Sequence, residues 1–238
     1  MINQVAKEEE IAGIGVAIGG PLDWKTGIVS PLHQPEWRDV PLKKIMEDQF
    51  HCPCYLDVDT NVAAWGEYKN LTPRPRKLLY MTLSTGIGGG YIIDGKIYRG
   101  MKGAHPEIGH QTINFKCLHP ERVMCECGAP DCLEALVSGN GILRIYGKTA
   151  EHLTDEEWNE VAYNLGQGLR NLATIYLPEL IVLGGGIATG ANDKLLKTAK
   201  KVMKRRLNII PSPEVRISNL GYDTALIGAI HIAMDGIS

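Results

Sequence analysis

The chain has 238 residues, 44% hydrophobic and 22% charged, with a formal net charge of -2, enough for a substantial core or two modest lobes. The near-neutral charge argues against a nucleic-acid surface built on general basicity, and no apolar run reaches the ~20 residues that span a bilayer. MINQVAKEEE has no secretory hydrophobic region, and six cysteines, four of them clustered like metal ligands, fit a reducing compartment, so a cytoplasmic protein is expected.

Residues 2–10 read as the tail of a helix, and 11–20 as a buried strand running into a Gly-Gly-Pro turn. A turn and second strand follow in DWKTGIVS, then a loop, then a helix from Pro41 to Phe50 with Leu42, Ile45, Met46 and Phe50 on one face. Cys52 and Cys54, flanking Pro53, read as small buried residues. A short strand ends on Asp57 and Asp59, and a helix starts near Asn61. If the strand persists, both acids share a face. Asp59 then has two readings, a cap for the helix or a general base that takes the proton of a hydroxyl.

LTPRPRK (71–77) is the candidate hinge. Residues 78–100 read as strand, glycine turn, strand, Asp94-Gly95 hairpin and third strand. The turn Thr85-Gly86-Ile87-Gly88-Gly89-Gly90 would let backbone N–H groups approach an anion, with Thr85 adding a hydroxyl; the plainer reading is a glycine-rich β-turn. It is not a Walker motif, since no Gly-Lys-Ser/Thr follows.

His105 to Glu134 carries the densest chemistry. His110, Cys125, Cys127 and Cys132 form a one-nitrogen, three-sulfur set, the composition of a tetrahedral structural zinc site; Cys117 or His119 could replace one ligand. Glu107 and Glu134 flank the set. Next come a helix broken by glycines in ALVSGNGILRIYG and a capping box at Thr154–Glu157. The box opens a long helix with its apolar stripe running from Trp158 to Tyr176. LIVLGGGIA (180–188) is a buried strand ending in Gly184, Gly185 and Gly186, where backbone can meet a nucleotide. Residues 192–208 form a lysine-rich helix, read as a solvated face. VRISNL is a short strand, and TALIGAIHIAMD is a final apolar helix.

These residues together resemble the ROK family of sugar kinases and sugar-responsive repressors. The likeness rests on STGIGGG (84–90), PEIGH (106–110), CECGAPDCLEALVSG (125–139), LDVDTNVAAWGE (56–67) and LIVLGGGIA, and spans nearly the whole chain. It implies an α/β, actin-like ATPase (ribonuclease H-like) fold. A small lobe would take residues 1–72 plus 222–238, and a large lobe 73–221 with the metal loop. It also implies an ATP-dependent hexose kinase, usually a homodimer, with structural Zn²⁺, and Mg²⁺ arriving with ATP. Asp59 falls on the family's catalytic base and Asn61 on the next motif position. Glu107, His110 and Glu134 fall on its sugar contacts, and His110, Cys125, Cys127 and Cys132 on its zinc ligands. The turn holding Thr85, Gly86 and Gly88 resembles a phosphate element, and Gly184, Gly185 and Gly186 an adenosine element. His105-Pro106 looks closer to the fructokinase branch.

Three departures accompany the likeness. The family's kinases open with an Asp-x-Gly-Gly-Thr hairpin, and this chain has no such segment, which leaves the expected N-terminal lobe incomplete. Val58 stands where glucokinases carry Asn, and Leu32 follows Pro31 where an Asn is usual. The expectation is therefore either a truncated active kinase or a member that binds sugar without turnover. No helix-turn-helix is read, so no nucleic-acid partner is expected.

Overall fold

A computed structural model describes residues 10–191, 193–205 and 207–237. The helix expected over residues 2–10 lies almost wholly outside them. Among the described residues the architecture is mixed α/β with three sheets. β1 (Ile14–Ile18) and β5 (Cys54–Val58) form a parallel pair. β2 (Leu22–Asp23), β3 (Ile28–Val29) and β4 (Val40–Pro41) make a small antiparallel sheet in a stretch expected partly as loop. The main sheet has the order β10-β9-β6-β7-β8: Glu214–Ile217, Leu180–Gly184, Lys77–Leu83, Ile87–Ile93 and Lys96–Ile97.

Helix α1 (Leu42–Phe50) turns Leu42, Met46 and Phe50 onto the β1–β5 core. Ile45, expected on the same face, is 44% exposed. α2 (Asp59–Lys69) is almost wholly buried, because Val62, Ala63, Ala64 and Trp65 pack with Leu78, Tyr80, Ile92 and Val182 of the main sheet. The other face of the main sheet carries the largest core, shared with α3 (Leu133–Val137), α4 (Gly139–Tyr146), α5 (Asp155–Tyr176) and α7 (Asp193–Arg205). α3 and α4 replace the single glycine-broken helix. The break falls at Ser138, whose extended backbone caps α4 by accepting from the Gly141 N–H at 3.0 Å.

α5 starts on the expected capping box. Glu157 Oε2 accepts from the Thr154 N–H at 2.6 Å, and Thr154 Oγ1 accepts from the Glu157 N–H at 3.3 Å. α7 sinks Leu195, Ala199 and Met203 into the core and leaves Lys197, Lys201, Lys204 and Arg205 exposed, a solvated face as expected. The glycines after β9 start a short helix, α6 (Gly186–Gly190).

α8 (Thr224–Asp235) lies between α2 and β1 at backbone contact. A Cβ at Gly228 would sit 2.0 Å from the Val62 carbonyl, and one at Gly15 would sit 1.8 Å from that of Ala229. Glycine is required at both for that close approach. The row Leu226, Ile230 and Met234, 62%, 52% and 75% exposed, lies on the side of α8 away from α2. Among the described residues β1 is hydrogen-bonded along one edge only, to β5. No helix among the described residues is long and apolar enough to cross a membrane.

Candidate active site

The strand β5 ends at Val58 and α2 begins at Asp59, so the alternation that would aim Asp57 and Asp59 alike stops between them. Asp57, 3% exposed, turns inward. Its Oδ1 accepts from the Val58 N–H at 2.7 Å and from Asn61 Nδ2 at 3.0 Å, while Oδ2 accepts from Arg99 Nη2 at 2.5 Å. Asp59 instead opens on a cleft. It does not cap α2 in the expected sense, since Val58 holds the N-cap position without a side-chain bond. As the first helical residue it accepts from the Thr60 N–H at 2.7 Å, and the positive end of the helix favours its charge. Asp59 is exposed on the cleft side, while the protein packed around its other sides desolvates the carboxylate and raises its pKa above the ordinary carboxylate value. The Thr60 N–H and the His105 charge partly offset that rise, and the Glu107 charge adds to it.

The cleft has three joined chambers that meet at Ser84. The largest, about 730 Å³, is bounded by Asp59, Thr85, His105, Glu134, Asn140 and Arg144. It is polar, wide enough for a monosaccharide, and within the usual range of ligand sites. A second, about 210 Å³, continues past Asp59 and Thr82 to Gly185, Gly186 and Tyr222. A third, about 450 Å³, runs from Thr85 past Gly186 to Trp158 and Ala191. Gly185 has a φ of 85°, and a Cβ there would meet the Leu83 carbonyl at 2.4 Å, so only glycine lets the chain turn from β9 into α6 at this spot.

Glu134 ties the first chamber to the glycine turn. Its Oε2 accepts from the Ile87 N–H at 2.8 Å, and its Oε1 lies 3.9 Å from His110 Nε2. On its other side His110 Nδ1 is 3.4 Å from Cys125 Sγ, and Cys127 Sγ is 3.4 Å from Cys132 Sγ. All four donor atoms of His110, Cys125, Cys127 and Cys132 fall within 4.8 Å of one another. Donors at zinc bond lengths in a tetrahedron stand roughly 3.5–3.8 Å apart, so this set could hold such an ion after small adjustments. Burial pushes the Cys125 and Cys132 thiols up, while the Ala129 N–H is the first cause holding Cys127 down at about 7. Three thiols this close ionise together only when a cation takes up their charge. Cys117 packs against the main core and His119 stands edge-on to Tyr146, with ring centroids 6.4 Å apart, so neither joins the set.

Other sequence expectations are redistributed. Asn61, two residues along α2 and so turned about 200° from Asp59, is 1% exposed and held by Asp57 rather than lining the cleft. Glu107 stands outside the chamber wall with its side chain 60% exposed and its Oε1 3.3 Å from His105 Nε2. Gly88, Gly89 and Gly90 are not a turn: they lie in β7, opposite Thr82, Met81 and Tyr80. A Cβ would be 2.5 Å from Thr60 Cγ2 at Gly88, 2.4 Å from Ile108 Cδ1 at Gly89, and 2.3 Å from the Thr60 carbonyl at Gly90. Close packing of α2 and Ile108 on the two faces of β7 explains the run, and the turn itself is Ser84–Gly86. Gly184 likewise ends β9 against the Tyr80 hydroxyl. Ser84, Asn140, Arg144 and Tyr222, to which the sequence alone assigns no role, line the cleft, and so does His105. Ser84 opens a stretch that carries the family likeness and Asn140 directly follows another, while nothing local marks Tyr222.

Comparison with known proteins places this geometry. The family model described as the ROK family matches residues 1–235. A glucokinase of Halalkalibacterium halodurans is 33% identical over 93% of this chain and 76% of its own length. A xylose repressor of Caldicellulosiruptor bescii is 27% identical over 92% of this chain and 62% of its own. Among solved structures, the ROK hexokinase of Thermus thermophilus superposes with a TM-score of 0.82 at 31% identity, covering 94% of this chain and 79% of that one. A ROK family glucokinase of Streptomyces griseus, solved with glucose and AMPPNP, gives 0.78 at 26% identity over 97% of this chain and 84% of that one. The fold is thus the actin-like ATPase fold of these sugar kinases. Matched over almost its whole length, the chain belongs to the ROK family.

Proposed function

We propose that this chain is an ATP-dependent sugar kinase that transfers the γ-phosphate of ATP to a hexose hydroxyl. The observation that carries the reading is the position of Asp59, on the shared wall of a monosaccharide-sized chamber and a narrower one leading to Gly185–Gly186. A sugar in the first and a triphosphate entering from the second would meet beside one carboxylate. Asp59 accepts the hydroxyl proton as the oxygen attacks the γ-phosphorus. The bond from that phosphorus to the bridging oxygen breaks, and the electron pair leaves on ADP. Thr85, Gly86 and the backbone at Gly185–Gly186 bind phosphate and nucleotide, with Gly88 and Gly184 supporting them from within their strands. Mg²⁺ arrives as part of the nucleotide complex.

His110 and Glu134 bind sugar hydroxyls. His110, Cys125, Cys127 and Cys132 would hold a zinc ion, which supplies the cross-link that closes the loop around them. The protein is a cytoplasmic homodimer in this reading. Its test is ADP release from Mg-ATP across a hexose panel, with Asp59→Asn beside the native chain. Release that requires both a sugar and Asp59 establishes the kinase. Sugar binding without any ADP release from the native chain refutes it. That outcome would favour a second reading, a sugar-binding member without turnover, for which the apolar Val58 and the likeness to xylose repressors speak.

A further inference from the structure

The carboxylate of Asp57 stands just ahead of the proposed base in the chain and is tied to three places at once. Its Oδ1 accepts from the Val58 N–H at 2.7 Å and from Asn61 Nδ2 at 3.0 Å, so one atom holds the chain on both sides of Asp59. Its Oδ2 accepts at 2.5 Å from Nη2 of Arg99, which lies just beyond β8 at the edge of the main sheet. The Asp57 and Arg99 side chains are only 5% and 14% exposed, and neither borders a chamber of the cleft. Arg99 also lies over the ring of Trp24, between β2 and β3, at 4.1 Å from the centroid.

A buried ion pair gives little net stability over an apolar pair of the same size, so its contribution here is to position. A proton acceptor depends on position, since a displacement near 1 Å costs on the order of 10²-fold in rate. No protein group stands in reserve: among the described residues Asn61 Oδ1 and Arg99 Nε are buried without a hydrogen-bond partner. Arginine suits the place because a flat guanidinium stacks through its face while donating through its edge, which an ammonium group cannot do.

We infer that Arg99 and Asp57 are positioning residues for phosphoryl transfer: through the Val58 N–H and the Asn61 amide they fix the turn from β5 into α2 against the main sheet, and Asp59 with it. Both act through the proposed base. The inference rests on the kinase reading, and it gives Asn61 the task of holding that turn.

The experiment is steady-state ADP release by the metal-loaded full chain, at a temperature where every variant compared is folded, with kcat and hexose KM separated and a thermal melt of each protein. The variants are Arg99→Met, Arg99→Lys, Asp57→Asn and the double variant Arg99→Met with Asp57→Asn. Arg99→Met should lower kcat roughly 10- to 100-fold and keep the hexose KM within about 3-fold. Arg99→Lys keeps a charged donor without the stack and should recover part of the loss. Asp57→Asn should fall as Arg99→Met does, and the double variant should be no slower than the slower single one, because the pair acts as a unit. Met203→Ala, a truncation in the core on α7, is the stability control, and at an equal loss of Tm it should keep kcat within about 3-fold. Full turnover by Arg99→Met, a raised KM with unchanged kcat, or the same loss of kcat in Met203→Ala would each overturn the inference. Should Arg99→Met not fold, Asp57→Asn and Arg99→Lys carry the same test, and full turnover by Asp57→Asn would overturn it. A native chain that released no ADP with any hexose would refute the kinase reading itself, and this inference with it.

Discussion

Replacing Gly90 by alanine tests whether the glycine run serves packing. The added Cβ would lie 2.3 Å from the Thr60 carbonyl and 2.7 Å from Ala64 Cβ, both on α2. Non-bonded heavy atoms prefer about 3.5–4.0 Å, so α2 must withdraw by on the order of 1 Å. Overpacking of this kind costs ~1–3 kcal/mol. In a chain of this size each kcal/mol lowers Tm by about 2–4 °C, which gives a fall of roughly 2–12 °C. Because Thr60 follows Asp59, the proposed base moves with the helix, and a displacement near 1 Å costs on the order of 10²-fold in turnover. The assay is a thermal melt of the metal-loaded protein together with sugar-dependent ADP release. Gly190→Ala is the control, since a Cβ there meets nothing within 4 Å and should leave Tm unchanged or raise it slightly. A Gly90→Ala protein that melted like the native chain and turned over at full rate would refute the packing argument.

Three more outcomes follow from the site. The pKa of Asp59 is raised by burial, so kcat/KM should fall as pH drops through a limb lying above the ordinary carboxylate value of about 3.9; a limb at or below that value would contradict it. Loading the protein with Zn²⁺, which His110 and the three cysteines could hold, and then chelating it should lower Tm and weaken hexose binding. Metal-free protein with unchanged melting and binding would exclude that role for the cluster. Glu67 is 3% exposed, accepts from the Ser218 hydroxyl, and has its pKa raised first by burial. A carboxyl with a raised folded pKa contributes stability present below its unfolded value and lost as pH rises through the folded one. Glu67→Gln should therefore flatten the fall in Tm between about pH 4 and neutrality and match or exceed the native Tm at neutral pH, whereas a lower Tm there would count against it.

Much of this was legible because it is local. The capping box at Thr154–Glu157 and the run Thr224–Asp235 mark their helices in the residues themselves. The four metal donors are close in sequence, and the geometry needed only to choose them over Cys117 and His119. What misled was chemistry with two uses for one residue type. Glycine serves both tight turns and close approaches, and at 88–90 only the position of α2 tells them apart. Asn61 and Glu107 match the family's sugar contacts by motif position. The helical rotation after Asp59 turns Asn61 toward Asp57, and that is not a property of spacing alone.

β1 presents one edge to β5 and the other to no strand among the described residues, beside the exposed row Leu226, Ile230 and Met234. Such an edge reads main-chain N–H and C=O groups and is indifferent to the side chains that accompany them. With a formal net charge of only -2, long-range repulsion does little to keep copies apart. Among the described residues, this strand edge and helix face are therefore where contact between copies would begin. Protein concentration becomes a variable of every binding measurement made on the chain.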